Sequence, residues 1–102
     1  MNNNVDIIIK ILLEKKNLSE LEKDLVESYN TFLKEDKQAI INKIVENRMK
    51  YNMIAAETSV AKIQTQGKAR LVYLENLTNV ELKSNLYNQI LLMCTKLNTD
   101  NN

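Results

Sequence analysis

The chain has 102 residues, 44% apolar and 26% charged, with a formal net charge of +1, which fits one compact domain with a modest core. It has no histidine, one cysteine (Cys94) and one glycine (Gly67). That excludes zinc-finger spacing, Cys/His or Ser/His catalysis and glycine-rich phosphate loops, so no enzyme, cofactor or metal centre is expected.

No apolar run approaches the roughly 18 residues that cross a bilayer, and the start, MNNNVD, shows no secretory leader. A cytoplasmic protein is expected, with Cys94 unable to form an internal disulfide. Charge is unevenly spread. Val5 to Asp36 carries five lysines against eight acids, whereas Lys43 to Arg70 carries six basic residues against Glu46 and Glu57. A basic middle points to a polyanion partner, or to a solvated helix face.

In chain order, one domain over residues 1–102 is expected, with frayed polar ends at 1–4 and 98–102. The first helix, about Val5 to Lys16, is apolar at Ile7, Ile8, Ile9, Ile11, Leu12 and Leu13. That wraps so far round that it should be buried on more than one side. The second, about Ser19 to Leu33, begins with the capping pair Ser19 and Glu22. It places Leu21, Leu25, Tyr29 and Phe32 inside and Glu20, Asp24 and Glu27 outside. The third, Lys37 to Lys50, is capped by Asp36. It buries Ile40, Ile41, Ile44 and Val45 and presents Asn42, Lys43, Glu46, Asn47 and Lys50 on its opposite side. Arg48 falls on the apolar side, so either the helix ends there or Arg48 meets an acid inside.

From Thr58 to Leu74 two periods compete. As a helix, Val60, Ile63, Gly67, Leu71 and Leu74 form a stripe. As a β-hairpin, a turn at Gln66 and Gly67 is followed by the run Leu71 to Leu74. Gly67 favours the hairpin, because it takes a positive φ without strain and would weaken a helix by roughly 1 kcal/mol. The last helix, Asn79 to Leu97, opens on the capping pair Thr78 and Glu81. It carries Leu82, Leu86, Ile90, Met93 and Leu97 as one apolar seam, suited to core packing or to dimerisation.

Two helices joined by the turn KED, then a hairpin ending in GKARLVYLENLT, then a long helix: this order resembles the winged helix-turn-helix DNA-binding family. The local match is Gly67 to Leu74, similar to a second wing strand. Helix Lys37 to Lys50 departs from the family in lacking a leading Ser and Thr pair. The resemblance implies an α+β, mainly α fold with one wing at about 58–75 and a long C-terminal helix. It also implies double-stranded DNA as the partner of a homodimer, with the third helix and the wing facing the duplex. On that basis the DNA-binding residues are Lys62, Gln64, Thr65, Gln66, Gly67, Lys68 and Arg70 in the wing, with Asn42, Lys43, Asn47 and Lys50 on the helix. Together with size and composition, the resemblance implies an accessory or regulatory factor at a plasmid or phage site. A relaxosome accessory protein of a conjugative plasmid, acting beside a relaxase, is one such factor.

The alternative is an all-α bundle serving as a protein-binding module, such as a phage inhibitor or a bacteriocin immunity protein. Among other residues, Glu20, Glu22, Asp24 and Glu27 are expected as a solvated acidic face rather than a metal site. Cys94 is expected as a small buried hydrophobe, and the dispersed tyrosines as core or rim.

Overall fold

The structure, a computed structural model, describes residues 3–53 and 72–101. Four long helices build it: α1 (Asn3–Glu14), α2 (Glu20–Lys34), α3 (Lys37–Tyr51) and α4 (Asn79–Asn101). Each later helix starts where its capping residues stand. Ser19 Oγ accepts from the Glu22 amide at 3.2 Å, while the Glu22 carboxylate accepts from the Ser19 amide at 2.8 Å. Thr78 and Glu81 repeat this exchange at 3.1 and 2.8 Å. Asp36 accepts from the Ala39 amide at 3.2 Å. Each such cap contributes about 1 kcal/mol and sets the helix boundary. At their C-terminal ends, α2 and α3 stop at left-handed residues, Glu35 at φ 62° and Asn52 at φ 56°. Asparagine takes that conformation readily; for Glu35 it has a cost, in a turn of only two residues.

That two-residue turn makes α2 and α3 antiparallel neighbours. α4 packs against both, and α1 packs against α2 and α4. Contacts between named residues set the directions. Lys15 meets Glu22 and Asp6 meets Tyr29, so α1 runs antiparallel to α2. Ser28 meets Met93 and Glu35 meets Lys83, so α4 does too. Lys37 donates to the Glu75 carbonyl at 3.1 Å, and Asn47 reaches Gln89 near the other end, so α3 and α4 run parallel.

The core is the seam of α4, Leu82, Leu86, Ile90 and Met93, interleaved with Leu25 from α2 and Ile40, Ile41 and Ile44 from α3. Each such side chain stabilises the fold by roughly 1.5–3 kcal/mol when removed from water. Leu97 and Cys94 close the far end of the seam, both buried. Of core packing and dimerisation, the two uses expected for this seam, it serves core packing.

Three expectations are corrected. The first is the α+β winged fold. Every regular element among the described residues is helical, and the fold is an all-helical bundle. Residues 72–75, expected at the end of the wing around 58–75, are helical. In a strand Val72 and Leu74 would share one face, but Leu74 is fully buried while Val72 is 57% exposed. Period two does not describe this stretch. The remainder of the proposed wing, with Lys62, Gln64, Thr65, Gln66, Gly67, Lys68 and Arg70, lies outside the described residues.

The second correction concerns α1, which is buried on one side only. Val5, Ile9 and Leu12 face the bundle, whereas Ile7, Ile11 and Leu13 are exposed. Third, Asp24, Lys43 and Asn47, expected on outer faces, are buried. α3 runs through Arg48, which is half-buried, to Tyr51. α4 continues beyond Leu97 to Asn101.

Candidate functional site: the charged seam between α2 and α3

Along α3, Ile40, Ile44, Asn47 and Tyr51 follow one another at helical spacing, so Asn47 and Tyr51 inherit the direction set by the isoleucines. On α2 the same holds for Leu21, Leu25, Ser28 and Phe32. Where these stripes meet α4, the core turns polar. Asn47 Nδ2 donates to Ser28 Oγ at 3.0 Å and to Gln89 Oε1 at 3.0 Å. Gln89 Nε2 in turn donates to the Ile44 carbonyl at 3.3 Å. Ser28 Oγ lies 3.9 Å from the Met93 sulfur. All of these side chains are buried, so the network ties three helices at one level.

On the outer side of this layer, α2 supplies carboxylates and α3 supplies ammoniums. Lys43 Nζ donates to Glu27 and, at 3.2 Å, to Glu46, and lies 3.9 Å from Asp24. Its side chain is almost wholly buried. Lys50 pairs with Glu20 at 2.8 Å and with Asp24 at 3.0 Å. Tyr51 adds a hydroxyl that donates to Asp24. Burial pushes the Asp24 carboxyl up, but the hydrogen bonds from Tyr51 and Lys50 and the charges of Lys43 and Lys50 outweigh it. The carboxyl therefore titrates below its usual range. Burial, then the Asp24 hydrogen bond, raise the Tyr51 phenol well above its ordinary value. The hydrogen bond to Glu20, then that to Asp24, raise Lys50. Asp24 is thus held ionised and Lys50 held protonated.

Asp24, Glu27 and Glu46 offer oxygens within 4.8 Å of one another. A divalent cation needs such a convergence, but Lys43 Nζ already stands among these oxygens and donates to two of the three residues. The site is an internal ion-pair cluster. Glu22, the other buried acid of α2, is held below its usual range by a 2.7 Å hydrogen bond from Lys15 and by the Ser19 amide. Asp24 and Glu22 are therefore not part of a solvated acidic face.

Of the helix residues expected to meet DNA, Asn42 and Lys50 stay on the outer face of α3, while Lys43 and Asn47 are buried. Asn47 is inside. Lys43 is buried among carboxylates. Lys50 is partly exposed but paired with two acids, and Asn42 is exposed and accepts from Gln38 at 3.1 Å. Four carboxylates, Glu20, Asp24, Glu27 and Glu46, surround the two ammoniums, so acids outnumber bases within this cluster. Ser28, Gln89 and Tyr51 are partners that residue type alone does not reveal. The available signal was their register: each lies three or four residues from a core position of its own helix.

Elsewhere, Lys83 sits 4.7 Å above the Phe32 ring and 3.4 Å from Glu35, and Glu81 is absorbed in its cap. Cys94 is a buried free thiol, and burial pushes its pKa up. No helix among the described residues is long and apolar enough to cross a membrane. Compared with protein-family models, curated proteins and solved structures, the chain matches none.

Proposed function

We propose that the protein is a small helical protein-binding module, the kind of chain that phages encode as inhibitors or bacteriocin producers as immunity proteins. The observation that carries this reading is the disposition of charge on α3. Its two cations on the expected DNA face, Lys43 and Lys50, are committed to carboxylates of the same chain, while Met49 stands exposed beside a half-buried Val45. Asn42, Val45, Glu46, Met49 and Lys50 line a shallow groove on α3, and Met49 is 75% exposed at its edge. An unbranched, polarizable methionine over an apolar floor with Glu46 and Lys50 at its rim suits the apolar stripe of a partner helix. A second reading, duplex DNA, draws support from Lys62, Lys68 and Arg70, which have no acid between them.

A photo-crosslinking amino acid at position 49, used in the cell that encodes the protein, tests the first reading. The expected result is a covalent adduct with one protein that is lost when Val45 is changed to Glu. An adduct only within the same chain, or none at position 49 together with a duplex band retarded at low salt, would overturn it.

A further inference from the structure

α1 leaves a self-complementary face bare. Val5, Ile9 and Leu12 are packed into the bundle, yet Ile7 and Ile11, one turn apart on the opposite side, are 54% and 56% exposed. Scattered exposed hydrophobics are ordinary, but two β-branched residues stacked along a solvent face are not. Beside Ile11 the surface dips into a notch of about 200 Å³ lined by Ile8, Ile11, Leu12, Lys15, Glu22 and Leu97. The C-terminal half of α1 therefore carries a hole and its N-terminal half a knob, Ile7. On the flank of the same face stand Asp6, which accepts from the Tyr29 hydroxyl through one carboxylate oxygen and keeps the other, and Lys10, one turn away and opposite in charge.

We infer that this face binds a second copy of the chain, α1 against α1, antiparallel about a two-fold axis near Ile9. In that register Ile7 of one protomer lies over the partner subunit's Ile11 and enters the notch beside it, and the symmetry repeats the contact. Lys10 of one protomer then comes beside the partner subunit's Asp6, again twice. Parallel pairing would stack Ile7 on Ile7, leave the notch empty and set Lys10 beside Lys10. A knob, a hole and two opposite charges, each at the position that antiparallel symmetry demands, specify the occupant as an identical helix. The face is one short helix wide, so the interface is small and the dimer is weak, with dissociation at about 10–500 µM.

Sedimentation across that range, combined with directed crosslinking, tests the inference. The parent chain should pass from monomer to dimer. Ile11→Glu should raise the dissociation constant at least about tenfold with its melting temperature unchanged, since Ile11 is exposed in the single chain. Under mild oxidation an Ile7→Cys chain mixed with an Ile11→Cys chain should form a disulfide-linked heterodimer faster than either chain links to itself. Buried Cys94 stays out of the reaction. Preferential Ile7→Cys self-linkage would mean parallel pairing and would overturn the arrangement. A parent that stays monomeric throughout would overturn the interface.

Discussion

Asn47 on α3 donates through a single nitrogen to Gln89 on α4 and Ser28 on α2, at 3.0 Å in each case. One side chain thereby fixes the level at which three helices meet, and its own oxygen is buried with no hydrogen-bond partner among the described residues. Truncating it leaves Ser28 and Gln89 short of a donor and opens a small void. Asn47→Ala should therefore lose about 2–3 kcal/mol in urea unfolding. Asn42→Ala, on the exposed side of the same helix, should stay within about 0.5 kcal/mol. A recognition-helix role for Asn47 requires the reverse pattern: unaltered stability and weaker binding to DNA.

Asn85 is the counterpart of that network, one turn before Gln89, buried, with neither its amide nitrogen nor its oxygen hydrogen-bonded among the described residues. Unpaired polar atoms in a core cost free energy, whereas an apolar side chain of similar volume there does not. Asn85→Leu should raise the urea midpoint, by the equivalent of about 1–2 kcal/mol. A fall in the midpoint would show that the carboxamide has a partner in solution, such as an internal water.

Stability should have an acid limb and an alkaline limb with a plateau between. Folding lowers the titration of Glu22 and Asp24 from their ordinary values of 4.5 and 3.8. Their contribution is complete above those values and is lost as pH falls through the depressed ones. Folding raises Tyr51 and Tyr29 above 10. Their neutral hydroxyls favour the fold below that value, and the advantage is lost as pH rises beyond it. Urea midpoints should thus decline below about pH 4 and above about pH 10. Asp24→Asn should flatten the acid limb, and an unchanged midpoint from pH 5 to pH 2 would contradict the pairing of Asp24.

The capping residues were legible because each acts on the backbone within three residues of itself. The α4 seam was legible because five apolar residues keep one helical period. What sequence alone misassigned depends on partners distant in the chain. Asp24, Lys43 and Asn47 look like surface residues by type, and they lie inside because opposite charges or amides on other helices meet them there. Register offered the corrective signal, since Ser28, Asn47 and Gln89 occupy core positions in otherwise apolar stripes. Gly67 suits a turn and so favours a wing, yet the burial of Leu74 with Val72 outside follows a helical period.

Lys43 carries the most specific consequence. Its ammonium fills the place among Asp24, Glu27 and Glu46 that a cation would otherwise take. Lys43→Met removes it and leaves three carboxylates converging, two of them half in water. The loss should be about 2–3 kcal/mol, below that of a wholly buried pair because solvent screens Glu27 and Glu46. The same variant should acquire a response the parent lacks. With the ammonium gone, oxygens within 4.8 Å of one another can draw in to the 2.3–2.6 Å that calcium requires. Calcium at about 5 mM should raise the urea midpoint of Lys43→Met, and adding Glu27→Gln should abolish that rise, while the parent stays unchanged. A parent midpoint that rises with calcium would mean that the ion displaces Lys43. A variant as stable as the parent would mean that the lysine contributes nothing to holding α2 against α3.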